Sequence, residues 1–185
     1  MSELAPTPGQ TVGPFFHYAL PYDDGPRLSP LGAADSIRLH GRVYDGAGEP
    51  VPDALLEIRQ ADAAGRIARS EGSLRRDGRF TGWGRAATDS AGRYDFTTVE
   101  PAPAREGAAA YVAVTVFARG LLDRLFTRIY VPAPGLESDP VLGTLPDERR
   151  ATLIAERDAD GNLRHDIRLQ GDRETVFLTF PGHDR

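Results

Sequence analysis

The strongest constraint in this sequence is a two-residue rhythm that keeps stopping and restarting. From Ser36 onward, Ile37, Leu39, Gly41 and Val43 alternate with Arg38, His40 and Arg42. Successive side chains of an extended strand point to opposite faces, so this stretch reads as a strand with one buried face. It stops at Asp45-Gly46-Ala47-Gly48, residues that make turns. Further strand segments follow at 54–60, 94–99, 111–117, 125–131, 152–156, 163–169 and 175–180. The run Tyr-Val-Ala-Val-Thr-Val-Phe at 111–117 is continuously β-branched, apolar or aromatic and fits a central strand. Asp158-Ala159-Asp160-Gly161-Asn162 reads as a hairpin turn between the segments that flank it. One short helix is expected within 140–150, with Pro146 near its start and Asp147 and Glu148 in its first turn. Residues 68–85, polar and rich in arginine and glycine with Phe80 and Trp83 as anchors, read as a long loop. About eight short strands with scarcely any helix predict an all-β fold, an antiparallel β-sandwich with long loops.

The chain has 185 residues, the length of one domain. Residues 1–36 show no sustained period and carry Pro, Gly, Asp and aromatic residues, so they are expected to form an extended N-terminal arm. Residues 37–185 are expected to be a single β-sandwich domain. The net charge is −5, which argues against a nucleic-acid partner. No apolar stretch approaches membrane-spanning length, and the start of the chain lacks the pattern of a secretory signal. A cytoplasmic protein without membrane partners is the expectation.

Composition also narrows the chemistry. There is no cysteine, which removes disulfides, zinc–thiolate sites and cysteine nucleophiles. There is no lysine, so Schiff-base chemistry is excluded and all 22 basic residues are arginine. The four histidines, His17, His40, His165 and His183, are scattered, with no His-x-His pair to put two ligands on one strand face. His40 reads as a solvated histidine on the polar face of its strand. Ser70, Ser73 and Ser90 sit in loops without a neighbouring histidine, and no Gly-x-Ser-x-Gly elbow exists. Asp45, Asp89, Asp158 and Asp160 all fall at turns, which accounts for them. Arg119 follows the most apolar strand, in Phe117-Ala118-Arg119-Gly120. Two readings stand for it: an exposed loop arginine, or a pocket arginine that pairs with a carboxylate. Residue chemistry alone thus describes a soluble β-sandwich without self-contained catalytic equipment.

Ordered motifs along the whole chain add to this. They are Gln10-Thr11-Val12-Gly13-Pro14-Phe15, Val43-Tyr44-Asp45-Gly46, Leu56-Glu57-Ile58-Arg59-Gln60-Ala61-Asp62 and Gly92-Arg93-Tyr94. They continue with Phe117-Ala118-Arg119-Gly120, Thr127-Arg128-Ile129-Tyr130, Asp166-Ile167-Arg168-Leu169-Gln170-Gly171 and Glu174-Thr175-Val176-Phe177. In this order and spacing the chain resembles the intradiol ring-cleaving dioxygenase family, and within it the α type of subunit. The resemblance implies cleavage of protocatechuate by O2 between its two hydroxyls. It also implies Fe(III) held by two tyrosines and two histidines of a β subunit, the partner of this chain. At the corresponding positions this chain has Ile67, Ala104, Tyr111 and Ala113, so it is expected to hold no metal and no catalytic residue of its own. The resemblance further implies that Thr11, Gly13, Pro14 and Phe15 of the arm, together with Arg119, border the substrate pocket at the interface with β. A Gly-Pro dipeptide suits such a place, giving a rigid bend and a close backbone approach to a flat ring. The alternative, a non-enzymatic β-sandwich binding or interaction module, explains the strands but not the ordered motifs.

Overall fold

The structure, a computed structural model, describes residues 16–30, 32–68 and 79–180. Thr11, Gly13, Pro14, Phe15, Ser70, Ser73 and His183 lie outside these residues. A short helix, α1 (Phe16–Ala19), precedes the strands. The strands are β1 (Ser36–Tyr44), β2 (Leu55–Gln60), β3 (Trp83–Ala87), β4 (Arg93–Val99), β5 (Tyr111–Phe117) and β6 (Leu125–Tyr130). Two 3-10 turns, Leu136–Ser138 and Leu142–Thr144, lead into a second helix, α2 (Asp147–Ala151). Short strands β7 (Glu156–Arg157), β8 (Leu163–Arg164) and β9 (Ile167–Arg168) follow.

Two sheets result. One has the order β4-β1-β8-β7 with β9 also on β1, and the other has the order β3-β2-β5-β6. The alternation in the sequence predicts which face of each sheet is buried. In β5, Val112, Val114 and Val116 are buried while Tyr111, Ala113, Thr115 and Phe117 are not. Leu39, Val43, Tyr94 and Phe96 of the first sheet meet Leu56, Ile58, Val114 and Ile129 of the second in one core. Each such aliphatic side chain, taken fully from water, contributes about 1.5–3 kcal/mol. The expected antiparallel sandwich is therefore present. The carboxylates expected at turns cap them: Asp45 accepts from the amides of Ala47 and Glu49, and Asp89 from those of Ala91 and Arg93.

Several local expectations change. Within the expected loop 68–85, Trp83–Ala87 forms β3. Its buried positions are Gly84 and Ala86, too small to register as an apolar face. The missing apolar volume comes from Leu28, which is 1% exposed. A β-carbon on Gly84 would stand 2.3 Å from Leu28 Cδ1. Residues 25–29, in the stretch expected to be an arm, join the edges of both sheets: Arg85 N donates to Gly25 O, and Leu28 N to Thr97 O.

The segment 163–169 is split into β8 and β9, and both pair with β1 in parallel. The register is constant across the gap, where the Asp166 carboxylate accepts the Arg42 amide that a ladder carbonyl would otherwise take. The segment 152–156 contributes only Glu156 to a strand, because Leu153 and Ala155 instead exchange backbone hydrogen bonds with Tyr130. The segment 175–180 docks on the free edge of β6 through one bridge, Phe126 with Leu178. Its Val176 amide donates to the Thr152 hydroxyl, which prevents a regular ladder.

No helix among the described residues is long and apolar enough to cross a membrane.

Candidate functional site

The β2–β5 pair organises both candidate sites. Its antiparallel register sets Leu55 opposite Phe117 and Gln60 opposite Val112. Past one end of this ladder stand Ala61 and Tyr111, and past the other stand Asp53 and Arg119.

At the first end is a cavity of about 130 Å³. It is lined by Arg59, Gln60, Ala61, Ile67, Ala102, Ala104, Ala109, Tyr111 and Ala113. All four positions singled out in the sequence, Ile67, Ala104, Tyr111 and Ala113, thus converge on one space from three parts of the chain, two loops and β5. The loops are held in place by specific contacts. Asp62 accepts from the amides of Ala64 and Arg66, and its Oδ2 accepts from Arg66 Nε at 2.9 Å. Ala102 N donates to Asp62 O, and Ala61 bridges Ile67. Gly65 has φ +77°, and a β-carbon there would lie 2.3 Å from Pro103 O. Only glycine allows this loop to lie so close to residues 101–104.

The donor set of the cavity does not fit Fe(III). Ile67, Ala104 and Ala113 offer no ligand atom. Gln60 is occupied: its amide nitrogen donates to the carbonyls of Ala61 and Val99, and its oxygen accepts from Thr98. Arg59 brings a positive charge to the rim. The remaining oxygen donor, Tyr111, is built into a wall. Arg128 Cζ lies 4.2 Å from the centre of the Tyr111 ring, a cation–π contact. Arg128 Nη1 donates to the Tyr130 hydroxyl, which donates to Asp139 Oδ1 at 3.1 Å. Burial pushes the Tyr130 hydroxyl up to about 12 although Arg128 opposes the shift. Burial works against the Asp139 carboxylate, yet the amides of Ala109, Val141 and Leu142 and the Tyr130 hydroxyl hold it below its usual range.

At the other end Arg119 follows β5, with its side chain 59% exposed. Its Nε lies 2.9 Å from Asp53 Oδ2 and 3.3 Å from Oδ1, and the Asp53 side chain is only 8% exposed. Tyr111 and Arg119 are eight residues apart along an extended strand, a span of roughly 26 Å. Arg119 therefore does not serve the cavity of its own chain. Asp53 was not singled out in the sequence. It sits in Pro52-Asp53-Ala54, where turn chemistry explains an aspartate, and only the β2–β5 register brings it to Arg119.

A larger groove of about 760 Å³ crosses the outer face of the first sheet. Its charges largely satisfy one another: Arg38 pairs with Asp95 and Arg164 with Asp166. His40, expected to be solvated, is half-buried with Nε2 3.1 Å from Asp158 Oδ2. Among the described residues no group of three or more His, Cys, Asp or Glu side chains is placed to hold a metal ion.

A family model for dioxygenases, Dioxygenase_C, matches residues 12–171. The chain is 42% identical to the protocatechuate 3,4-dioxygenase alpha chain of Burkholderia cepacia, over 96% of this chain and 99% of that one. It is 35% identical to the beta chain from the same organism, over 68% of this chain and 57% of that one. Among solved structures, the intradiol ring-cleavage dioxygenase of Tetranychus urticae superimposes with a TM-score of 0.57 at 13% identity, covering 92% and 94% of the two chains. That last likeness is one of fold. The chain belongs to the dioxygenase family that this model describes, the intradiol family that its motifs resemble.

Proposed function

We propose that this member of the intradiol family is the α subunit of a protocatechuate 3,4-dioxygenase and works in a cytoplasmic complex with a β chain that holds Fe(III). The observation that carries the reading is the pairing of full-length similarity to an alpha chain with a cavity lacking a ferric ligand set. A non-enzymatic module would explain the sandwich but not that similarity. In this reading Ile67, Ala104, Tyr111 and Ala113 stand where an iron-binding paralogue carries its ligands.

The reaction adds both atoms of O2 to protocatechuate. The ring bond between the two hydroxyl-bearing carbons breaks, and each of those carbons becomes a carboxyl carbon of 3-carboxy-cis,cis-muconate. Fe(III) held by the β chain would supply activation of the catechol toward O2. This chain supplies binding and shape. Thr11, Gly13, Pro14 and Phe15 of residues 1–36 border the pocket across the interface: Gly-Pro gives close backbone approach to the ring, and Phe15 gives an aromatic wall. Arg119 attracts and orients the ring carboxylate that catechol lacks. Its distance from the cavity of its own chain supports a role toward a partner's site.

The test is to purify the chain alone and together with β. Stoichiometric iron, the colour of tyrosinate-bound Fe(III) and turnover of protocatechuate are expected only with β present. Iron retention and turnover by this chain alone would sink the reading.

A further inference from the structure

The chemistry of the Arg119 pair goes one step further, and the step rests on the carboxylate role just proposed for Arg119. We infer that Asp53 is a positioning residue: it grips Arg119 by its Nε edge and presents the terminal Nη1/Nη2 edge to the carboxylate of an aromatic acid bound across the subunit interface.

A guanidinium is planar and carries five N–H donors, so it can serve two carboxylates at once on different edges. Asp53 uses only the Nε edge, at 2.9 and 3.3 Å. Among the described residues Nη1 and Nη2 have no hydrogen-bond partner. The burial is lopsided in the direction this role requires: the carboxylate is 8% exposed and the arginine 59%. A flexible surface pair would leave both groups wet. Here the acid is anchored two residues before β2, just beyond the Leu55–Phe117 rung of the ladder, and the base projects from it. Gly120, with φ +86°, turns the chain immediately after Arg119, so the side chain stands at the tip of the strand. The arrangement also shields charge. An incoming carboxylate meets the guanidinium before it meets Asp53, and the ordering of a long side chain is already done before the ligand arrives.

The experiment uses the assembled complex with β, under anaerobic conditions, with binding measured by calorimetry. Protocatechuate is the carboxylated ligand and catechol the carboxylate-free one. Asp53→Ala is expected to weaken protocatechuate binding about five- to tenfold, the size of a charge-assisted contact partly exposed to water. Catechol affinity stays within about twofold. Asp53→Asn, nearly isosteric, gives a smaller loss of the same sign and keeps the fold if the alanine variant does not. Asp53→Glu restores part of the affinity. The double variant Asp53→Ala/Arg119→Ala is no weaker than Arg119→Ala alone, because Asp53 acts only through Arg119. Equal losses for both ligands, additive losses in the double variant, or tighter protocatechuate binding in Asp53→Ala would each overturn the inference. Arg119→Ala that weakens both ligands equally would instead overturn the reading of Arg119 itself.

Discussion

The two ends of the β2–β5 pair have the same backbone and opposite contents. At the Tyr111 end the side chains around the cavity are mostly small and apolar, and the one phenol is packed under Arg128. At the Arg119 end a buried carboxylate and a projecting guanidinium are held in register. One end of the ladder offers space without a ferric ligand set, and the other offers a charged pair without an enclosing space. On the reading proposed above, such a chain contributes to a site by what it extends toward a partner rather than by what it encloses. The contrast also shows that a strand pair transmits position well and chemistry not at all, since the same ladder supports either content.

Four measurements bear on this contrast. The largest expected effect tests whether the two ends stand or fall together. Burial holds the His165 imidazole down to about 4 in the folded chain, against about 6.5 when unfolded. The unfolded chain thus binds the extra proton first as pH falls. Stability is full above about pH 6.5 and drops as pH falls toward 4, by on the order of 3 kcal/mol. Chemical denaturation at pH 7 and pH 4 measures this, and hydrogen exchange should show both ends loosening together, because both hang on the core between the sheets. His165→Gln should flatten the acid slope.

Arg119→Ala comes next. It should raise the KM for protocatechuate in the complex about five- to thirtyfold, a loss of about 1–2 kcal/mol, and lower the melting temperature by a few degrees, because the buried Asp53 carboxylate loses its counter-charge. Steady-state kinetics with protocatechuate and a carboxylate-free catechol read the difference. An equal change for both would erase the contrast between the ends. Gly65→Ala strikes the cavity end instead. The left-handed conformation costs an alanine about 1–2 kcal/mol before the close approach to Pro103 O is counted. Thermal melting should fall by several degrees while the Arg119-dependent selectivity for protocatechuate persists. The smallest effect is expected from Tyr111→Phe. It keeps the ring under Arg128 and removes the one phenol oxygen of the cavity, so turnover by the complex should stay within about twofold. A large loss there would give the Tyr111 end a chemical role and break the comparison.

How much of this was legible depended on the distance over which each feature is decided. β1 and β5 announce themselves, since alternation and β-branched runs are local. The turns at Asp45, Asp89 and Asp158 are equally local, each carboxylate capping amides two and four residues on. β3 was hidden because its buried face is Gly84 and Ala86, and the apolar side chain that covers it, Leu28, lies more than fifty residues earlier. The segment 175–180 has the composition of a strand, but Thr152 takes the Val176 amide that a ladder would use. The pair Asp53–Arg119 was half visible: the arginine stood out at the end of an apolar run, while its aspartate looked like any turn residue.

The sequence by itself determined that the chain is a β-sandwich, which faces of its longer strands are buried, and that the ligand types of an iron site are absent at Ile67, Ala104 and Ala113. The first two follow from periods of two, which neighbouring residues set among themselves, and the third from residue identity at positions that the family resemblance points out. Tertiary structure decided that Ile67, Ala104, Tyr111 and Ala113 share one cavity, that residues 25–29 close the side of the sandwich, and that Asp53 holds Arg119. The physical reason is that side-chain pairing across a ladder depends on register. Register is fixed by the sum of core contacts between distant segments, and a shift of one residue would send every one of those side chains to the opposite face.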